Sequence, residues 1–129
     1  TLGIQRGMVV SGSVGHQRMD ELSTLGENAI AEFYQNKGFS TSTLCPTDLA
    51  LPSATLEDLA GGDAETNSGL IRTILNGEDK GPKRDAVLLN AGAALFVAGA
   101  ADAISTGIDL AAAVIDDGRA AAKLTALAA

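Results

Sequence analysis

The residues Gly7-Met8-Val9-Val10 form an apolar run near the start of the chain, and Ser11-Gly12-Ser13-Val14-Gly15 follows directly. Polar and apolar residues do not alternate at the end of this run, which is typical of a strand buried on both faces of a parallel sheet. The Gly and Ser residues that follow indicate a turn out of the sheet. The run therefore predicts a buried parallel strand, with a loop over residues 15–25 leaving its carboxyl end.

Two further segments predict a hairpin. Asn28 to Tyr34 mixes β-branched and aromatic residues, and Phe39 to Leu44 alternates Thr and Ser. Gln35-Asn36-Lys37-Gly38 lies between them and has the residue types of a turn, since Asn and Gly accept positive φ. An antiparallel hairpin with a four-residue loop is expected.

Helical signals begin after Pro52. Thr55, followed by Asp58 three residues later, indicates a short helix start, and Asp63 is a candidate N-cap for the next helix. Pro82 suits the first turn of a long apolar helix that runs to about Gly99. Two more helical segments follow, giving four or five helices. The sequence predicts an α/β fold in one domain over residues 1–129.

Composition excludes several classes of protein. The 129 residues carry a net charge of -7 with 1 Cys and 1 His, which excludes a disulfide scaffold and a Cys/His zinc site and argues against nucleic acid as a partner. The apolar stretch over residues 86–101 is shorter than the roughly 20 residues of a membrane helix, so no membrane association is expected. A lone cysteine favours the cytoplasm. The first residue is Thr1, which suggests a piece of a longer chain.

The best candidate for chemistry is the acidic pair Asp20-Glu21, placed in the loop after the predicted strand. Two carboxylates on a loop can point to the same place. Carboxylate oxygens are ligands that suit Mg²⁺, and the remaining positions around the cation can take substrate phosphates. Open α/β sheets bind ligands beyond the carboxyl ends of their strands. A solvated acidic pair is the competing interpretation, because adjacent acids are common.

Other polar features have simpler interpretations. Gly61-Gly62-Asp63 resembles a phosphate cradle, but Asp63 as a helix cap would fill such a site with its own carboxylate. The cluster Lys80, Lys83 and Arg84 opposes the dipole of the long helix, which predicts a solvated loop or contact with phosphate or a partner chain rather than stabilisation. Asn90, inside the apolar helix, is expected to hydrogen-bond within the core. His16 and Cys45 receive no role, and Gly12-Ser13-Val14-Gly15 lacks the full spacing of a dinucleotide loop.

Taken in order, several blocks resemble a known family. They are Gly7-Met8-Val9-Val10, Met19-Asp20-Glu21-Leu22-Ser23, Leu59-Ala60-Gly61-Gly62-Asp63-Ala64-Glu65-Thr66-Asn67, Ile74-Leu75-Asn76-Gly77-Glu78 and Lys80-Gly81-Pro82-Lys83-Arg84-Asp85-Ala86-Val87-Leu88-Leu89-Asn90-Ala91. Over essentially its whole length the chain looks like the carboxyl-terminal part of the anthranilate phosphoribosyltransferases, in glycosyltransferase family 3.

The resemblance implies a function and a site. Members transfer phosphoribose from phosphoribosyl diphosphate to anthranilate in tryptophan biosynthesis, and Asp20 and Glu21 match their Mg²⁺-binding pair. It implies the carboxyl-terminal portion of the large α/β domain, in a whole protein expected to be a homodimer. The Gly-rich diphosphate loop and the substrate contacts of the family lie upstream, so this segment contributes no catalytic residue and is expected to be inactive alone. Its loop also departs from the family pattern, because Gly15-His16-Gln17-Arg18-Met19 is longer than usual.

Two other functions stay open at this stage. A non-enzymatic relative in the same superfamily binds nucleic acid, but the net charge of -7 and the retained Asp20-Glu21 pair speak against it. A nucleoside phosphorylase of related fold would also need a phosphate site from sequence outside this segment.

Overall fold

In a computed structural model that describes residues 3–129, four antiparallel strands lie against a group of helices. The strands are β1 (Arg6–Val14), β2 (Gln17–Met19), β3 (Asn28–Tyr34) and β4 (Gly38–Leu44), in the spatial order β2-β1-β3-β4. Every strand pair is antiparallel within the described part of the chain. The α/β class and the hairpin of β3 and β4 are thus confirmed, but the hairpin loop has three residues, 35–37, rather than the expected four.

The expectation of parallel pairing is wrong within residues 3–129. The run from Gly7 to Val10 lies within β1, which pairs antiparallel with β3 along its length, Met8 opposite Glu32 and Val10 opposite Ile30. It is also not buried on both faces, because the side chain of Val9 is 74% exposed. The predicted loop over residues 15–25 contains β2, which returns from β1 through a tight turn at Gly15 and His16.

Alternation along the strands decides which face the helices cover. Met8, Val10 and Ile30 point to the helices and join Leu22, Leu89 and Ala93 in the core. Val9 and Phe33 lie on the opposite face and are exposed. The sheet therefore has one covered and one open face.

The helices begin where local capping signals place them. The four are α1 (Ala64–Leu75), α2 (Pro82–Val97), α3 (Ile104–Asp116) and α4 (Arg119–Ala128). Asp63 caps α1, Pro82 is the first residue of α2, and Gly77 follows α1 with a φ of 76°. The predicted short helix near Thr55 is a single 3-10 turn at Glu57–Leu59. None of the helices in residues 3–129 has the length and apolar character to cross a bilayer.

Helices α2 and α3 make the closest helix contact. Gly92 of α2 faces Gly107 of α3 with no side chain between the two backbones. A second core cluster of Leu88, Ala111 and Ile115 extends this contact. One face of α2 therefore packs on α3 while Leu89 and Ala93 pack on the sheet side.

An ion pair between a buried arginine and an exposed aspartate also joins these helices. Arg84 on α2, only 6% exposed, donates two hydrogen bonds of 3.0 Å to the Asp116 carboxylate at the end of α3. Lys80 donates a third, at 2.6 Å. The hydrogen bonds from Arg84, and then those from Lys80, hold the pKa of Asp116 below its ordinary value of 3.8.

We expect the Arg84–Asp116 ion pair to make the free energy of unfolding decrease in acid. A carboxylate whose pKa is lowered by folding stabilises the protein above its unfolded pKa, and this contribution is lost as the pH falls through the folded pKa. Urea unfolding between pH 6 and pH 3 should show a steeper loss for the parent chain than for Asp116→Asn. Asp109→Asn on the exposed side of α3 is the matched control. An identical acid dependence in both variants would contradict the assignment.

Candidate functional site

The acidic pair lies directly after β2, at the edge of the sheet. Asp20 and Glu21 are both exposed, and their carboxylates make no hydrogen bond or ion pair within residues 3–129. The pair therefore follows a short edge strand rather than the buried parallel strand expected from the sequence. Two unengaged carboxylates are available to bind a cation or a cationic group.

The backbone of this loop lies very close to β1. The Gly12 N–H donates to the Glu21 carbonyl at 2.9 Å. A Cβ added to Gly12 would lie 2.6 Å from Ser23 Cβ and 2.7 Å from the Glu21 carbonyl oxygen. Only glycine permits this approach, so Gly12 fixes how near the acidic pair sits to the sheet.

Asn90 on α2 holds the residue after the pair. Its Oδ1 accepts from the Leu22 N–H at 2.9 Å, and its Nδ2 donates to the Leu22 carbonyl at 2.9 Å and to the Ala86 carbonyl at 3.1 Å. The expected hydrogen bonding of Asn90 within the core is confirmed. Its partner, 68 residues earlier in the chain, was not foreseen.

Asn28, at the start of β3, holds the next residue. Its side chain is fully buried; Oδ1 accepts from the Ser23 N–H at 2.7 Å, and Nδ2 donates to the Ser23 carbonyl at 3.0 Å. The same amide donates to the carbonyls of Gly26 and Leu44. This role of Asn28 was not predicted, because the sequence shows it only as the first residue of a hairpin strand.

A cavity of about 450 Å³ opens beside the acidic pair. Glu21 and Lys83 both line it, together with apolar residues that include Leu70, Ile71 and Ile74. Lys83 donates to the Asp58 carbonyl at 2.6 Å, which restrains its ammonium group. The cavity thus combines an apolar floor with groups of both charges.

The pair fits an octahedral cation only in part. Within residues 3–129, no three His, Cys, Asp or Glu side chains come together as a complete metal site. Mg²⁺ commonly binds through one or two carboxylates while keeping waters or taking substrate phosphates. Asp20 and Glu21 have the chemistry for such an open site.

The Gly61-Gly62-Asp63 segment is a helix cap. Asp63 Oδ1 accepts from the Thr66 N–H at 2.8 Å, and this hydrogen bond lowers the pKa of Asp63. Asn67 holds Gly62 by its N–H and carbonyl, at 2.9 and 3.0 Å. The capping interpretation is confirmed, since the carboxylate occupies the position that an anion would take.

The basic cluster Lys80, Lys83 and Arg84 is not the solvated loop that the sequence predicted. Lys80 and Arg84 both bind Asp116, and Lys83 binds the Asp58 carbonyl. The first two stabilise the contact between α2 and α3 rather than standing free in a loop. Helix-dipole reasoning did not anticipate these contacts, because Asp116 lies on a neighbouring helix and the dipole concerns only the helix that carries the cations.

Solved structures and curated relatives place the chain in a known family. The chain is 48% identical over 126 residues to the anthranilate phosphoribosyltransferase of Syntrophotalea carbinolica, covering 98% of this chain and 34% of that protein. The crystal structure of the Thermus thermophilus enzyme matches 89% of this chain and 32% of its own, with 40% identity and a TM-score of 0.74. A variant of the Saccharomyces cerevisiae enzyme with Mg bound matches 93% and 34%, with 25% identity and a TM-score of 0.78.

The extent of these matches bears on what can be assigned. The chain spans about a third of the length of these relatives, and the resemblance to the carboxyl-terminal part of anthranilate phosphoribosyltransferase is confirmed. A model described as "Glycosyl transferase family, a/b domain" matches residues 1–121. The chain therefore belongs to this glycosyl transferase family, and its fold is that of the carboxyl-terminal portion of the family's α/β domain.

Proposed function

We propose that this chain is a segment of a Mg²⁺-dependent phosphoribosyltransferase that transfers phosphoribose from phosphoribosyl diphosphate to anthranilate, in tryptophan biosynthesis. The observation that carries the proposal is the acidic pair: Asp20 and Glu21 are exposed and unengaged, on a backbone held by Gly12 and Asn90. The identity of 48% to a curated anthranilate phosphoribosyltransferase supports the substrates.

The roles of Asp20 and Glu21 follow from the charge of the leaving group. Diphosphate departs with high negative charge, and a bound Mg²⁺ would neutralise part of that charge. The two carboxylates would hold the cation and fix its position relative to the sheet. The proposal assigns no nucleophile or general base to this segment. The Mg bound to the yeast relative supports the choice of metal.

We further propose that residues 1–129 are only part of the catalytic domain. β2 covers β1 only at Gly12–Val14, so within residues 3–129 the part of β1 over residues 6–11 pairs with β3 alone. The Gly12 N–H points away from β3, toward the Glu21 carbonyl. Because peptide groups alternate in direction along a strand, those of Met8 and Val10 point to the same side as that of Gly12. They therefore lie on the free edge of β1. A groove between this edge and α2 is lined by Ala93, Ala94 and Val97. An open edge beside an apolar groove suits the addition of another strand.

A chimaera tests the function. These 129 residues would replace the matching third of the Syntrophotalea carbinolica enzyme, and transfer to anthranilate would be measured against Mg²⁺ concentration. We expect Mg²⁺-dependent turnover by the chimaera and none by the 129-residue chain alone. Asp20→Asn and Glu21→Gln should each lower kcat/KM by roughly 100-fold, in the range of other groups that stabilise developing charge.

Asp109→Asn is the matched control, because it also removes one exposed carboxylate, from α3. Activity of this control should equal that of the unsubstituted chimaera. Full activity in both Asp20→Asn and Glu21→Gln would contradict their role, and a folded but inactive chimaera would contradict the assigned reaction. The homodimer and the cytoplasmic location of the whole protein stay predictions.

A further inference from the structure

The peptide group that joins Glu21 to Leu22 is hydrogen-bonded on both sides. Its carbonyl accepts from the Gly12 N–H at 2.9 Å, and its N–H donates to Asn90 Oδ1 at 2.9 Å. Asn90 Nδ2 also donates to the following carbonyl, that of Leu22. The backbone at Glu21 is thus held between a strand on one side and a helix on the other.

The side chains of the pair have no such support. Within residues 3–129, the carboxylates of Asp20 and Glu21 have no hydrogen-bond partner that would orient them. Their direction therefore depends on the backbone from which they project. We propose that Asn90 is a positioning residue for the acidic pair, and that it sets the geometry in which Glu21 and Asp20 bind a divalent cation. This inference rests on the metal role proposed above.

The chemistry of the asparagine side chain explains why this residue can do so. Its amide offers one acceptor and one donor side by side, matching the N–H and carbonyl of a single residue as a neighbouring strand would. Its place on α2 is fixed because the adjacent Leu89 and the nearby Ala93 belong to the core. A carboxylate at this position would lack the donor, and an alanine would lack both groups.

The test compares Asn90→Ala with Asn67→Ala in the 129-residue chain. Asn67 makes the same pair of hydrogen bonds, but to Gly62, so its loss removes equivalent contacts from another segment. Mn²⁺ alone is the probe, with its affinity measured by paramagnetic line broadening. We expect Asn90→Ala to bind Mn²⁺ roughly tenfold more weakly, as for other residues that orient metal ligands, and Asn67→Ala to bind it as the parent does. Hydrogen exchange at the Leu22 amide should be faster only in Asn90→Ala.

The outcomes separate this inference from the proposed metal role. If Glu21→Gln binds Mn²⁺ as the parent does, the metal role and the positioning role are overturned together. If Glu21→Gln loses affinity for Mn²⁺ but Asn90→Ala does not, only the positioning role is overturned. The positioning role is also overturned if Asn67→Ala loses as much affinity as Asn90→Ala. Should Asn90→Ala not fold, Asn90→Gln keeps the donor and the acceptor of the amide but displaces both by one methylene. An affinity in that variant equal to the parent's would likewise overturn the inference.

Discussion

Replacing Gly107 by alanine is expected to lower the free energy of unfolding by about 3 kcal/mol, through overpacking at the contact of α2 with α3. A Cβ on Gly107 would clash with the Gly92 carbonyl oxygen and lie 3.0 Å from Gly92 Cα. These are backbone atoms of a helix, which cannot turn aside as a flexible side chain would. The helices would have to separate, and urea denaturation with circular dichroism would measure the loss.

Gly69→Ala is the matched control for this prediction. Gly69 also lies inside a helix, α1, and a Cβ there would meet nothing within 4 Å. Because glycine costs a helix interior about 1 kcal/mol relative to alanine, this control should gain stability. A gain at Gly107 as well would show that α2 and α3 are not in backbone contact.

A separation of α2 from α3 would also displace the acidic pair. Gly92 lies two residues after Asn90 on α2, and Asn90 holds the backbone of Leu22. A shift of α2 relative to the sheet would strain the hydrogen bonds of Asn90. The close packing of α2 on α3 is therefore part of what places the carboxylates, although neither glycine lies near them in sequence.

Local signals in the sequence were sufficient for the helices. Asp63, Pro82 and Gly77 each act through contacts within a few residues, so they can be recognised without knowing the rest of the fold. The hairpin of β3 and β4 was predictable for the same reason. The residue types of the turn and the two flanking segments all lie within 17 consecutive residues.

The direction of β1 could not be predicted in this way. An apolar run indicates that a strand is at least partly buried. It does not indicate which strand pairs with it or which face of the sheet the helices cover. Val9 is apolar and still 74% exposed, because nothing in residues 3–129 covers that face of the sheet. The inference from apolar run to parallel pairing failed for this physical reason.

The acidic pair was predictable, but its support was not. Asp20 and Glu21 are recognisable as a pair because they are adjacent, and the family resemblance then gives them a role. The hydrogen bonds of Asn90 to Leu22 join residues 68 positions apart, and no periodicity or spacing reveals such a contact. The residues around the candidate site that sequence reasoning missed are those that act through the backbone of distant segments.

Asn28→Ala is expected to cost about 3 to 4 kcal/mol of unfolding free energy, because it leaves several buried backbone groups without partners. The Asn28 side chain is fully buried and bonds the N–H of Ser23 and the carbonyls of Ser23, Gly26 and Leu44. Water cannot replace these bonds without opening the loop.

The control for this prediction is Asn67→Ala. Asn67 makes two similar hydrogen bonds to Gly62, but its side chain is exposed, so water can satisfy the groups it leaves. Its loss should cost only about 1 kcal/mol. Equal costs for the two substitutions would mean that burial does not govern the strength of the Asn28 contacts.

The isosteric variant Asn28→Asp should be less stable than Asn28→Ala at pH 7 and should recover as the pH falls. A carboxylate there would face three carbonyl oxygens in a buried site, which disfavours the charged form and raises the pKa of the introduced carboxyl. A raised folded pKa means that the penalty is absent below the unfolded value of about 3.9 and grows as the pH rises toward the folded value. Urea unfolding at pH 7, 5.5 and 4 would therefore show the deficit relative to the parent shrinking with acid, and a deficit independent of pH would contradict the buried contacts assigned to Asn28.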